Sequence, residues 1–256
     1  SRLRMVTIKE NIMDLSGKTA LITGGGIRLG RAISLALARV GCNVAIHFNS
    51  SREKAIEVKQ QAIELGVKAE IFQFNLSDFS DVERLLAEVN EQIGTVDILI
   101  NNAGNYQRGS GLKTSVEALQ TSFNVNLFAP WWLTRAFVKQ LPAEQGGKIV
   151  NICDAGIFRT ATDHFAYRLS KKALYEMTRM FALELAPRVT VNAIAPGIML
   201  PLAGYEHIDM EQVAARKIPL NRIGSPEIIA ENVLYILGQD FMTGSIITID
   251  GGENIV

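Results

Sequence analysis

A chain of 256 residues, 48% of them hydrophobic, is long enough to bury a full core and short enough for one α/β sheet to form one domain. Its 26 basic and 26 acidic residues cancel and are mixed along the sequence, which leaves no electrostatic footprint for nucleic acid or for an anionic membrane surface. No apolar run approaches the ~18 residues that span a bilayer, and the charged start "SRLRMVTIKENIMD" has no hydrophobic signal region, so a cytoplasmic protein is expected.

Residues 1–16 read as an N-terminal arm, and a single domain runs over 17–256. Within it short β-rich runs alternate with longer amphipathic ones: "TALIT" then 29–40, "NVAIH" then 51–65, "AEIFQF" then 78–93, "DILI" then 115–140, "KIVNI" then 164–186, "TVNAIA" then 225–238, and a final "SIITI". The strands are almost continuously apolar, the pattern of parallel strands covered on both faces. This succession predicts an α/β fold: one doubly wound parallel sheet, Rossmann-type, with helices on both faces. Only 196–222 breaks the rhythm, with "PGIMLPLAGYEHIDMEQVAARKIPL" reading as a loop and a short helix, the form of a substrate lid. Cys42 and Cys153 lie in strand-like apolar runs and read as reduced core residues, neither a disulfide nor a metal site; no metal is expected.

The first strand runs into "TGGGIRLGRAI", Thr23 to Ile33. Glycines at a strand-to-helix turn let the backbone approach a pyrophosphate, and the helix start beyond them offers free N–H groups to that anion. Gly24, Arg28, Leu29 and Gly30 are therefore cofactor candidates. The second strand ends in His47, Phe48, Asn49, Ser50, Ser51 and Arg52, with no acid before Glu53 to receive a ribose 2′-OH. With Arg28 across the turn, these residues make a cationic, hydroxyl-rich cradle suited to a 2′-phosphate, which points to NADP(H).

Taken together, "TGGGIRLG", "NNAG" (Asn101 to Gly104), Asn126 in "NVNL", Tyr167 with Lys171, "APG" (Ala195 to Gly197) and the late "DGG" (Asp250 to Gly252) resemble the short-chain dehydrogenase/reductase family from residue 17 to the end. The resemblance implies that Tyr167 is the proton donor, that Lys171 lowers its pKa and holds the nicotinamide ribose, and that Asn126 supports a water relay. It implies further cofactor contacts at Asn75, Leu76, Asn102, Ala103, Gly104, Pro196, Gly197 and Ile198. Elementary physics agrees on the pair: residues i and i+4 share one helix face, where an ammonium favours an ionised phenol.

Two departures narrow the resemblance. The family's usual serine falls thirteen residues before the tyrosine, and here that position is Asp154; the second glycine of the usual fingerprint is Arg28. Both occur together in the pteridine reductases and dihydromonapterin reductases, and the chain is similar to that branch. A carboxyl group accepts from pterin ring N–H and amine donors, or passes a proton towards an imine nitrogen, whereas a serine hydroxyl suits a carbonyl oxygen. In that branch an aromatic residue covers the pterin opposite the nicotinamide, and "NNAGNYQRG" supplies Tyr106. Arg28, Tyr106, Asp154, Tyr167, Met199 and Leu200 make up the expected substrate site. Against the branch, Gly104 stands where a serine is common, and Ile198 replaces the hydroxyl residue that often follows Pro-Gly.

The expected activity is NADPH-dependent reduction of a pterin or dihydrofolate C=N bond. The alternatives are an NADPH-dependent carbonyl reductase of oxoacyl thioesters or small ketones and, from another class, a non-catalytic NADP-binding sensor or scaffold, against which the retained Asn126, Tyr167 and Lys171 argue. The two long helices carry apolar residues such as Phe128, Trp131, Trp132, Phe137, Met177, Met180 and Phe181, some of which exceed what one sheet face needs, and a homotetramer is expected, as the resemblance implies.

Overall fold

The computed structural model describes residues 14–201, 207 and 209–256. The expected N-terminal arm, over its residues 1–13, and the expected lid, over 202–206 and 208, lie outside the described residues. Seven parallel strands form one sheet, in the order β3-β2-β1-β4-β5-β6-β7. They are β1 (Thr19–Ile22), β2 (Asn43–Phe48), β3 (Ala69–Gln73), β4 (Ile98–Asn101), β5 (Gly147–Ile152), β6 (Val189–Pro196) and β7 (Ile246–Ile249). Each sits where the apolar runs predicted, because a strand covered on both faces admits few polar side chains; every residue of β1, β4 and β5 is buried.

Helices cover both faces. Helices α1 (Arg28–Arg39), α2 (Arg52–Glu64) and α8 (Pro226–Gly238) close one side over Ile22, Ile46, Ile100 and Val150. On the other, α3 (Phe79–Gln92), α5 (Ala129–Gln140) and the C-terminal half of α6 (Phe165–Leu185) cover Leu21, Leu99, Ile149 and Val191. Alternate residues of one strand thus serve opposite cores.

The chain starts in mid-sheet, builds outward through β2 and β3, then returns to place β4 on the other side of β1. At this reversal the connections after β1 and β4 leave in opposite directions, which opens a crevice at the strands' carboxyl ends. The functional candidates cluster there.

The stretch 115–140, expected as one helix, is two. Helix α4 (Val116–Phe123) passes through a wide π turn at Asn124–Phe128 before α5 begins. A π turn inserts one extra residue into the helical ladder and re-aims the side chains on it. Here it buries Asn126 completely. Within 196–222 the expected short helix is α7 (Met210–Lys217), capped by Asp209, whose carboxylate accepts from Glu211 N–H at 3.0 Å and Gln212 N–H at 3.2 Å. Among the described residues no helix is long and apolar enough to cross a membrane.

Candidate active site

The turn after β1 is built on close approach. Gly24 has φ +62°, and a Cβ on Gly30 would stand 2.0 Å from the Gly24 carbonyl oxygen, so no side chain fits at residue 30. Arg28 also adopts a left-handed conformation, φ 52°, uncommon for a residue with a side chain. Its guanidinium donates to the Pro201 carbonyl at 2.7 Å, tying the glycine turn to the entrance of the 196–222 segment. Helix α1 begins here with no side-chain cap on its N-terminal N–H groups and no acid in its first turn, the arrangement that receives a phosphate.

Behind the turn, His47 accepts from Gly24 N–H through Nδ1 at 3.1 Å, so its proton sits on Nε2, which donates to the Phe74 carbonyl at 3.0 Å. Burial holds this imidazole neutral and lowers its pKa to about 4. His47 lines the cleft where sequence reasoning placed it, while its ring nitrogens are committed to Gly24 of the turn and to Phe74 at the end of β3. Thr23 performs the matching task across the crevice. Its Oγ1 accepts from Asn102 N–H and Ala103 N–H, both at 2.9 Å, while the Asn102 amide donates to the Thr23 carbonyl at 2.9 Å. The ends of β1 and β4 are thereby joined into one platform.

A cleft of about 1450 Å³ opens over this platform. It is lined by Gly24, Arg28, Leu29 and Gly30, by Phe48, Asn49, Ser50 and Ser51, by Asn75 and Leu76, by Asn102, Ala103 and Gly104, and by Pro196, Gly197 and Ile198. Those residues fit a dinucleotide: an open helix N-terminus and a glycine cradle for the pyrophosphate, then hydroxyls and an amide at the end of β2, with the Arg28 guanidinium across the turn and no carboxylate among them. Arg52 does not join them; it is an exposed residue in the first turn of α2, outside the cleft lining.

At the other end of the cleft the reactive side chains meet. Asp154 follows β5 and caps a single 3-10 turn, Ala155–Phe158, accepting from Gly156 N–H through Oδ1 at 2.7 Å. Its second oxygen accepts from the Tyr167 hydroxyl at 2.8 Å. Lys171, one helical turn beyond Tyr167, is buried, and its ammonium donates to the Ile152 carbonyl at 2.6 Å. Burial pulls the pKa of Lys171 down. For Tyr167 the structure corrects the expectation of a lowered pKa: burial, then the charge of Asp154 and its hydrogen bond, push the phenol well above its ordinary value of 10. Tyr167 is held here as a protonated donor.

Asn126 lies behind the cleft rather than in its lining. Its carbonyl accepts from Asn105 N–H at 2.7 Å, and its amide donates to the Asn105 carbonyl at 3.0 Å and to Ser170 Oγ at 2.9 Å; Ser170 in turn donates to the Tyr167 carbonyl at 2.8 Å. One buried side chain thus fixes both the loop after β4 and the helix of Tyr167. On that loop Tyr106 packs edge-on against Tyr167, ring centres 4.6 Å apart, and against His164 at 4.5 Å. Met199 and Leu200 line the same end of the cleft.

Several site residues escaped the sequence reading. Arg108, Asp163, His164 and Arg168 line the cleft mouth, and Glu253, from the last turn of the chain, pairs with Arg159 at 3.2 Å on its rim. Burial raises the Glu253 pKa against the pull of Arg159. No local motif marks a C-terminal acid as part of a cleft built by β5 and β6. Cys153, beside Asp154, is a buried free thiol, as is Cys42; burial raises both to about 12, which makes them inert. Among the described residues no cluster of His, Cys, Asp or Glu could hold a metal ion.

The family model described as enoyl-(acyl carrier protein) reductase matches residues 26–254. The chain belongs to the short-chain dehydrogenase/reductase family. One relative, an uncharacterized oxidoreductase from Mycobacterium tuberculosis, is 35% identical over 94% of this chain and 94% of its own length. The 3-oxoacyl-[acyl-carrier-protein] reductase of Aquifex aeolicus is 32% identical over 94% of this chain and 98% of its own. Among solved structures, FolM alternative dihydrofolate reductase 1 from Brucella canis, complexed with NADP, superposes with a TM-score of 0.88 at 33% identity, over 95% of this chain and 96% of its own. A short-chain dehydrogenase from Burkholderia cenocepacia, also in complex with NADP, gives a TM-score of 0.88 at 31% identity, over 94% and 99% of the two chains. In this short-chain dehydrogenase/reductase, then, Asp154, Tyr167 and Lys171 meet at one end of the cleft.

Proposed function

We propose that this chain is an NADPH-dependent reductase of pterins, acting on the C=N bond of a dihydropterin or dihydrofolate ring. The observation that carries the reading is the Asp154 carboxylate, bonded to the Tyr167 hydroxyl at 2.8 Å. A group that only accepts suits the ring N–H and exocyclic amine of a pterin, while the Tyr167 proton is available to the imine nitrogen. Tyr106, on the cleft side of Tyr167, offers a π face for a flat heterocycle, and stacking holds such a ring in register with the reacting groups. The likeness to the Brucella FolM proteins, 33% and 34% identical, supports the same reading.

NADPH, when bound, supplies the hydride. Arg28, Asn49, Ser50 and Ser51 would hold its 2′-phosphate, and Gly24 to Gly30 its pyrophosphate. Lys171 would approach the nicotinamide ribose while its ammonium stays anchored on the Ile152 carbonyl. Tyr167 keeps its proton at rest because its environment disfavours the phenolate, and releases it when negative charge builds on the substrate nitrogen. Asp154 orients that hydroxyl and takes up the substrate's N–H groups.

A second reading, reduction of an oxoacyl thioester, is favoured by the 3-oxoacyl reductases among the relatives and by Gly104, which the pterin branch commonly replaces with serine. NADPH oxidation measured side by side with dihydrobiopterin, dihydrofolate, dihydromonapterin and a panel of ketones separates the two. Asp154→Ser should then lower pterin turnover by roughly ten- to a hundredfold, the effect of ~1–3 kcal/mol for polar substrate groups left unpaired, and spare any ketone activity. Turnover of ketones alone, or a parallel loss on both substrate classes, would overturn the pterin assignment.

A further inference from the structure

Beside the catalytic cleft lies a smaller cavity of about 350 Å³, whose lining includes Arg108, Ser110, Lys113, Asp163 and His164. Arg108, Asp163 and His164 line the main cleft as well, so the annex adjoins it at the edge of Tyr106. Its walls are tied down. The Ser110 carbonyl accepts from Lys113 N–H and Thr114 N–H at 3.0 Å and from Thr114 Oγ1 at 2.9 Å, and the Gly109 carbonyl accepts from Phe165 N–H, at the start of α6, at 2.9 Å. The loop bearing Arg108 and Lys113 is therefore fastened to the helix bearing Tyr167.

The electrostatics of the annex favour anions. Its one carboxylate, Asp163, bonds Arg168 at 3.2 Å and His164 Nδ1 at 3.0 Å, which offsets part of its charge. Arg108 and Lys113 add two cations to the same cavity, and the N-terminal end of the 21-residue α6, with its positive dipole end, opens beside them. The guanidinium charges of Arg168 and Arg108 both reach the Tyr106 hydroxyl, where they oppose the rise in its pKa that burial and the carboxylates of Asp154 and Asp163 cause. A substrate ring lying against Tyr106 would carry its own substituent towards this positive field.

We propose that the annex receives an anionic group, carboxylate or phosphate, carried at the far end of the substrate whose ring is reduced at Tyr167. The inference rests on the function proposed above and names the class of substrate within it: a pterin with a negatively charged tail in preference to one with a neutral tail.

Steady-state kinetics with three dihydropterins test this: dihydrobiopterin with its uncharged tail, dihydrofolate with carboxylates, and a dihydropterin phosphomonoester. Lys113 is exposed and lines only the annex, so Lys113→Glu should fold normally. The variant should raise KM for an anionic substrate by on the order of tenfold and leave the uncharged one unchanged; added salt should do the same to the wild type. Whichever anionic substrate suffers more identifies the anion as carboxylate or phosphate. Equal changes on charged and uncharged substrates, or none on either, overturn the annex. Failure of all three to be reduced strikes the proposed function instead. Calorimetric binding of p-aminobenzoylglutamate and of 4′-phosphopantetheine then decides the annex by itself. Binding of either fragment that Lys113→Glu abolishes upholds it, and binding that is absent or indifferent to the substitution sinks it.

Discussion

Tyr167 and His47 show how burial assigns protons in this site before any ligand arrives. Tyr167 is pushed towards the neutral phenol, and Asp154 strengthens that state by accepting its hydrogen. His47 is pushed to the neutral imidazole, and its two hydrogen bonds need that form, because a protonated Nδ1 could not accept from Gly24. This has a consequence for stability. The folded-state pKa of His47, about 4, lies below its ordinary 6.5, so the unfolded chain binds the proton more readily. The contribution is present above pH 6.5 and is lost as pH falls through 4, amounting to about 3 kcal/mol over that window. Urea unfolding between pH 7.5 and 4 should show this loss, and His47→Gln, whose amide can accept from Gly24 and donate to Phe74, should flatten it. Identical slopes in the two proteins would assign the acid sensitivity to other groups. Residue identity alone marked His47 as a strand-end candidate; its role as a brace depends on Phe74, which a different strand end supplies.

At the scale of elements, the glycine turn and the π turn contrast in what a sequence can reveal. The turn after β1 announces itself, since few arrangements other than a tight strand-to-helix passage need three glycines and a fourth at residue 30. Gly30→Ala tests the geometry directly. Its Cβ would enter the space of the Gly24 carbonyl, so the turn must open, lowering stability by ~1–3 kcal/mol and weakening NADPH binding together. A thermal melt and a fluorescence titration with NADPH check both, and an unchanged variant would mean that the turn is looser than described. The π turn at Asn124–Phe128 leaves no such trace. Apolar periodicity runs through it from α4 into α5, and one extra residue in the ladder changes no composition. Yet that residue decides that Asn126 faces Asn105 and Ser170 instead of the cleft.

At the scale of the whole molecule, the described residues leave apolar side chains exposed at several places, and two of these lie on packed helices and at the sheet edge. On one side Met180 and Leu183 of α6 are 68% and 85% exposed, with Val116 of α4 nearby in exposure at 74%. On the other, Tyr235 of α8, Phe241, Ile255 and Val256 stand out near the edge strand β7. We propose that these two patches each form a two-fold contact and together close a homotetramer. Sedimentation velocity should give four chains, and the double substitution Met180→Glu, Leu183→Glu should leave a dimer, because each buried side chain contributes ~1.5–3 kcal/mol. A monomer at micromolar concentration, or a tetramer indifferent to the substitution, would contradict this. Of the apolar residues on the two long helices, Phe137 is fully buried under the sheet while Met180 is exposed. Exposure is a property of packing that a helical apolar residue does not declare.

By itself the sequence determined what depends on local chemistry. Apolar runs of strand length alternating with amphipathic ones dictate a covered parallel sheet. The glycine turn and the absence of an acid at the end of β2 mark a dinucleotide site, and the resemblance to the short-chain dehydrogenase/reductase family singles out Asp154, Tyr167 and Lys171. Only the tertiary structure decided what depends on distance through space. It set the direction of the Tyr167 pKa, because burial and Asp154 raise it while the Lys171 ammonium is turned to the Ile152 carbonyl. It left Arg52 outside the cleft and Asn126 behind it, and brought Arg108, Arg159 and Glu253 to the rim from loops and a terminus far apart in the chain. Side-chain spacing along one helix or strand fixes which face a residue shares, but the field a proton feels is the sum over elements that fold together only once.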